Sequence, residues 1–285
     1  MAIQSSVATG SPTGKSFSKT VFPVNAAPSF RSVPADTLYK VPSQAGRDTV
    51  SHLAAIERSH NKMLSALPED AWQRLSPHLR RVLLHQNDIL HEKGSEVKHV
   101  YFVENGMVSL VMDASCDSQI EAAVIGSEGM VGALSILGDN PSVHRAMVQV
   151  AGKAFRLSMG VLREEWKLNP FLQEWTFNYA NLLMSQVSQT VLCSRIHTIE
   201  ARLSRWLLAV RDRVKSDELE LTHDHIAQML GVRRPGVTVA LGVLQQAGLI
   251  QCGRGLITIT NGKELEQSAC ECYHSLREQF LNFEK

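Results

Sequence analysis

Two adjacent arginines, Arg233 and Arg234, stand between a glycine and a proline in the run Gly231-Val-Arg-Arg-Pro-Gly-Val237. A guanidinium projecting from the first turn of a helix in the major groove bonds bidentately to guanine O6 and N7. The surrounding spacing supplies such a helix. Thr222 is a good N-cap for a short helix whose buried face is Ile226, Met229 and Leu230. Ala227 allows two helices to cross closely, Gly231 makes the turn, and Val237 plugs the second helix into the core. This small–Gly–aliphatic spacing is the helix-turn-helix pattern. Pro235 falls in the first turn of the second helix, where proline costs nothing. Thr238 and Val239 lie one turn further on, and Thr238 is placed to reach a phosphate or a base. The helix runs to Gly248. Beyond it, residues 249–252, the turn Gly253-Arg254-Gly255 and residues 256–260 read as a β-hairpin wing. Arg254 at its tip and Thr222 are candidate phosphate contacts.

Other chemistries find less support. No glycine-rich nucleotide loop, metal-ligand spacing or nucleophile motif is present. The carboxylate neighbours Glu69-Asp70 and Glu164-Glu165 do not face each other on a helix. The chain is therefore not expected to be an enzyme. The five cysteines are scattered and odd in number, which argues against a disulfide framework. Cys270 and Cys272 form a C-x-C pair with no second pair beside it in sequence, so ordinary reduced thiols are expected, with no metal and no cofactor. His85, His91, His99 and His144 read as dispersed polar residues. The net charge is only +1, so any contact with nucleic acid must come from a local basic patch. No apolar run of about 18 residues is present, and the first residues lack an apolar signal core. A cytoplasmic protein with no membrane partner is expected.

The elements that must position the arginines follow from periodicity. Residues 1–50 are rich in Ser, Thr, Ala and Pro without a period and read as a disordered extension. Residues 51–84 carry short helices punctuated by Pro68 and Pro77. Between 85 and 160, strands are expected at 99–103, 108–112, 122–125 and 146–150, separated by glycines that suit tight turns. A long helix over 171–193 follows Asn169-Pro170 and is apolar on most sides. One stripe holds Leu172, Trp175, Tyr179 and Leu182, the other Leu183, Val187 and Val191, and Trp175, Tyr179, Leu182, Leu183 and Val187 are the candidate dimer-interface residues. One of these faces is expected to cover the chain's own sheet and the other a second copy. An amphipathic helix over 196–214 then leads to the helix-turn-helix.

The order of glycine-punctuated β-roll, long helix after Asn169-Pro170, amphipathic helix and Gly231–Val237 resembles the Crp/Fnr family, the cyclic-AMP receptor protein and its relatives, over roughly residues 60–262. The resemblance implies an α+β fold: an N-terminal cyclic-nucleotide-binding-like β-roll (a jelly roll), a long dimerisation helix and a C-terminal winged helix-turn-helix. The corresponding domains are 1–55 (extension), 56–168 (sensor), 169–194 (dimerisation helix), 195–262 (DNA binding) and 263–285 (helical tail). It implies a homodimeric transcription regulator with double-stranded DNA as partner and RNA polymerase as a further candidate. The effector is left unspecified. Members that bind cyclic AMP carry Gly-Glu-Leu followed by Arg-Ser or Arg-Thr. The matching runs here are Gly132-Ala133-Leu134 and His144-Arg145-Ala146, so a pocket at Gly132, Leu134 and Arg145 lacks both the glutamate and the hydroxyl. Losing charge-assisted hydrogen bonds in a buried pocket argues against cyclic AMP. The absence of cysteine from residues 1–115 argues against the family's iron–sulfur sensor. Pro235 and Val239 replace residues that read the family's best-known half-site, so a different operator is expected. The alternative reading is a cyclic-nucleotide-responsive signalling module whose helix-turn-helix contacts protein.

Overall fold

The structure is a computed structural model, and it describes residues 59–113, 119–138 and 141–283. The expected extension at 1–55 lies outside these residues. Two short helices, α1 (Lys62–Ala66) and α2 (Glu69–Leu75), precede strands β1 (Arg80–Leu84), β2 (Ile89–His91), β3 (His99–Asp113), β4 (Gln119–Ile125), β5 (Met130–Val131) and β6 (Arg145–Ser158). The strands form one antiparallel sheet in the order β1-β6-β3-β4, with β2 on β6 and β5 on β3.

The strands expected at 99–103 and 108–112 are a single fifteen-residue strand. Gly106 makes a bulge in it rather than a turn. Its φ of 86° suits glycine, and the pairing with β6 shifts register on either side of it. A Cβ there would sit 2.7 Å from the Val150 carbonyl oxygen, so the partner strand also excludes a side chain.

Helix α3 (Met159–Leu168) leads through Asn169 into α4 (Pro170–Ile196). Asn169 caps α4 by accepting from the amides of Phe171 and Leu172, and Pro170 occupies the first helical position. The assignment of α4's stripes to a second copy needs correction. Tyr179, Leu182 and Leu183 are buried in the chain's own β-roll core. Trp175 stacks on Tyr179 at 4.9 Å and is covered by Phe283 of the returning C-terminal helix. Val187 is half-buried against the same core. The face that stays open carries Phe177, Met184 and Val191, exposed by 52%, 65% and 60%. These three repeat every seven residues, with Ala180, Val187 and Ser194 at the intervening positions. That is the seam spacing of a coiled coil.

After a break at His197-Thr198, α5 (Ile199–Val214) starts with Thr198 accepting from the Ala201 amide. Then come β7 (Glu218–Leu219), α6 (His223–Leu230), α7 (Arg234–Gln246), β8 (Ile250–Cys252), β9 (Ile257–Ile259), α8 (Gly262–Ser268) and α9 (Cys272–Phe283). Strands β7, β9 and β8 form a second small sheet.

The two cores meet at the sheet. The apolar cluster inside α5–α8 also takes in Met107, Val111, Val124 and Met147 from the β-roll. At this junction Glu121 of β4 is buried. It accepts from Ser109 Oγ at 2.6 Å and from the Trp206 indole Nε1 of α5 at 2.8 Å. Burial raises its pKa above the usual carboxylate range, while the two hydrogen bonds oppose the shift. Gln186 of α4 bonds both the amide and the carbonyl of Val124 on the same strand.

Glu121→Leu should cost about 1–3 kcal/mol, because it leaves the Trp206 indole N–H buried without an acceptor. Chemical denaturation measures it. Glu121→Gln keeps that acceptor and isolates the charge. Since the folded-state pKa is raised, the stabilisation from Glu121 is fully present below its unfolded-state pKa and is lost as pH rises through the folded one. The stability of the wild type relative to Glu121→Gln should therefore fall with rising pH. A difference that rises with pH would contradict this reading.

Candidate nucleic-acid interface

Thr222 accepts from the His225 amide at 3.2 Å and so starts α6, as its residue type predicts. Ile226, Ala227, Met229 and Leu230 are buried beneath the helix. Gly231 ends it in the left-handed region, at φ 62°, and the Val232 amide bonds back to the Ala227 carbonyl. Arg233 precedes α7 in extended conformation, and Val237, Ala240, Leu241 and Leu244 face the core. The opposite face of α7 is open and presents Arg233, Arg234, Thr238 and Val239 together with Val243. The tight turn Gly253–Leu256, closed by a 2.7 Å backbone bond, holds exposed Arg254 between β8 and β9.

Two partners of these residues were not visible in the sequence. Arg234 lies 3.3 Å from the Asp224 carboxylate, with both side chains largely exposed. Such a pair is worth about 0–1 kcal/mol, so Arg234 leaves it readily for a better acceptor. Thr238 Oγ1 donates to the Arg234 carbonyl and lies 3.1 Å from His223 Nδ1, which puts His223 on the same surface. The signal for His223 was its place directly after the Thr222 cap, where α6 and α7 approach. Arg202 of α5 donates to the Leu230 carbonyl and fixes the end of α6 from behind.

The expected effector pocket assembles only in part. Gly132 and Leu134 line a cavity of about 20 Å³ with His91, Ala133, Ser142 and Leu183. That is room for one water, although Leu134, Ser142 and His144 also line an open cleft of about 250 Å³ on the other side, toward Leu137 and Pro141. Arg145 is not in its lining. It is held instead by Glu92 at 2.7 Å and Asp113 at 3.3 Å. His91 and His144, read as dispersed, come together at this cavity. Burial pushes the His91 pKa down to about 4, helped by His144, and burial lowers His144 as well. At neutral pH the cavity therefore offers a phosphate neither a free guanidinium nor an imidazolium. A larger cleft, about 570 Å³, lies between the bulge at Gly106 and residues Val210, Val214 and Glu218–Leu221.

The reading of Cys270 and Cys272 as an isolated C-x-C pair also needs correction. Cys193 and His197, at the end of α4, pack directly against them.

Residues 81–168 match the cyclic nucleotide-binding domain family, and residues 201–268 match the Crp-like helix-turn-helix domain family. The chain belongs to the Crp/Fnr family. Solved structures of this fold include a transcriptional regulator of the family from Eubacterium rectale, with 19% identity and a TM-score of 0.59 over 71% of this chain and 94% of that one. FixK2 from Bradyrhizobium japonicum gives 16% and 0.58 over 67% and 98%. The c-di-GMP-responsive regulator CLP from Xanthomonas campestris gives 15% and 0.56 over 67% and 99%. At such identities the likeness is one of fold. No curated protein sequence matches the chain. Among the described residues, no helix is long and apolar enough to cross a membrane.

Proposed function

We propose that this Crp/Fnr-family chain is a dimeric, sequence-specific transcription regulator whose β-roll does not take cyclic AMP. The observation that carries the DNA-binding part is the open face of α7. Its first turns present Arg233, Arg234 and Thr238 free of the protein's own core, and the Arg254 wing flanks them. First-turn residues of a second helix are those that reach base edges, and the wing is placed for the phosphate backbone. Val239 offers an apolar contact of the kind that suits a thymine methyl. Thr222 lies at the α6 N-terminus, whose free amides suit a phosphate.

Arg234→Ala should lower affinity for a mapped operator by about 1–3 kcal/mol, with the dimer intact. Asp224→Asn should tighten binding, because it removes both a competing acceptor and a negative charge facing the phosphates. Fluorescence anisotropy at fixed salt measures both. Unchanged affinity in Arg234→Ala would sink the assignment of α7.

Two observations support exclusion of cyclic AMP: the enclosed cavity beneath Gly132 has room only for a water, and Arg145, the one cassette arginine, is paired with two carboxylates outside it. Isothermal titration should show no binding. Dissociation in the micromolar range or tighter would overturn this part.

The dimer seam we assign is Phe177, Met184 and Val191 on α4, with Val187 beside it. A second copy of α4 is the occupant that the seven-residue repeat fits, and two recognition helices match two half-sites one turn apart. Met184→Glu with Val191→Glu should give monomers by light scattering and weaken DNA binding far more than folding. Leu183→Glu should instead unfold the β-roll, since that side chain is buried in it. A dimer that survives the Met184/Val191 double substitution would exclude this seam.

A further inference from the structure

Four potential ligands converge where α4 ends. Cys193 lies in the last turn of α4, and His197 follows four residues later as the residue that ends the helix. Spacing of i, i+4 puts both on one face. Cys270 lies in the turn after α8 and Cys272 is the first residue of α9, with Glu271 between them. The three sulfurs and one ring nitrogen all lie within 4.8 Å of one another, and the three cysteines are buried. Cys193 and Cys270 are 3.5 Å apart at sulfur, and Cys272 Sγ is 3.5 Å from His197 Nδ1. Zinc bonds of about 2.3 Å to sulfur and 2.0–2.1 Å to nitrogen place tetrahedral ligands about 3.5–3.8 Å apart along each edge. Two edges of the cluster are thus already at tetrahedral spacing, and no other pair of ligand atoms is more than 4.8 Å apart.

We propose that Cys193, His197, Cys270 and Cys272 bind one Zn²⁺ as a closed structural site.

The surroundings are those such a site needs. His197 turns Nδ1 toward the thiols, and its other nitrogen, Nε2, meets the Glu271 carboxylate at 3.1 Å. A carboxylate on the far nitrogen fixes the tautomer and the orientation of a ligating imidazole. Gln189 Nε2 donates to Cys272 Sγ at 2.9 Å. Three thiolates and one Zn²⁺ leave a net negative charge, and Arg202 and Arg205 of α5 set positive charge beside Cys193. With four protein ligands no coordination position is left for water, so the role is structural rather than catalytic. The ion would tie the α4–α5 break, which joins the sensor to the DNA-binding domain, to the start of α9.

Metal analysis of the full chain, purified without chelator, should find about one zinc per chain. Exchange for cobalt should give the visible d–d bands and the near-ultraviolet charge-transfer band of a tetrahedral thiolate site. Cys272→Ser and His197→Asn should each lose most of the zinc, and Cys252→Ser, whose thiol lies outside the cluster, should keep it. Glu271→Gln should weaken zinc binding about 10- to 100-fold without abolishing it. If Cys272→Ser fails to fold, the His197→Asn and Glu271→Gln variants still decide the matter by competition with a chromogenic chelator. The proposal is overturned by a metal-free chain with all thiols reduced, by iron in place of zinc, or by a Cys193–Cys270 disulfide. Zinc retained in full by His197→Asn would overturn it too.

Discussion

A carboxylate sealed between two domains is costly unless every lone pair near a donor is used. Glu121 meets that demand with one donor from its own sheet, Ser109, and one from α5, Trp206. The arrangement works only while α5 stays against β4. The same strand is gripped from the other side by Gln186 of α4, and the turn after α6 packs beside it, where a Cβ on Gly231 would meet the Ile120 side chain. Three helices with separate tasks therefore report to one seven-residue strand. Moving the DNA-binding domain off the sheet would break the Trp206–Glu121 hydrogen bond and expose the apolar residues that α5 shares with the sheet, so the position of α7 is set by polar contacts as well as by apolar burial.

The helix-turn-helix was legible because its constraints are local. A cap at Thr222, a left-handed residue at Gly231 and a core plug at Val237 lie within sixteen residues, and each has a narrow choice of side chain. The direction of α4's faces was not legible. Tyr179 and Leu182 would be equally apolar facing a partner or facing their own sheet, and the α9 tail that covers Trp175 lies a hundred residues away. The stripe left open, Phe177-Met184-Val191, repeats every seven residues just as the buried positions Leu172, Tyr179, Gln186 and Cys193 do, so period alone could not tell the two faces apart. Gly106 was read as a turn because glycine permits positive φ in a bulge and in a turn alike.

The C-x-C pair shows the same limit from the chemical side. Metal-site spacing in sequence records only ligands on one segment, and this cluster is split between residues 193–197 and 270–272. The i, i+4 pairing of Cys193 with His197 was the half that could have been noticed. Likewise, the lone Arg145 left by the missing cassette residues proved to be occupied by Glu92 and Asp113. Their carboxylates reach it from the residue after β2 and from the end of β3, which no local pattern announces.

Trp206 gives the junction an optical signature. Its ring belongs to α5 and its N–H to a carboxylate on the sheet, so its emission depends on whether the two domains are in contact. The chain's other tryptophans, Trp72, Trp166 and Trp175, sit in α2, α3 and α4, on the sensor side. With those three replaced by phenylalanine, the remaining fluorescence would come from the domain boundary alone. A red shift would then time the separation of the domains in a stopped-flow mixer, with no external label and no knowledge of which genes the protein controls.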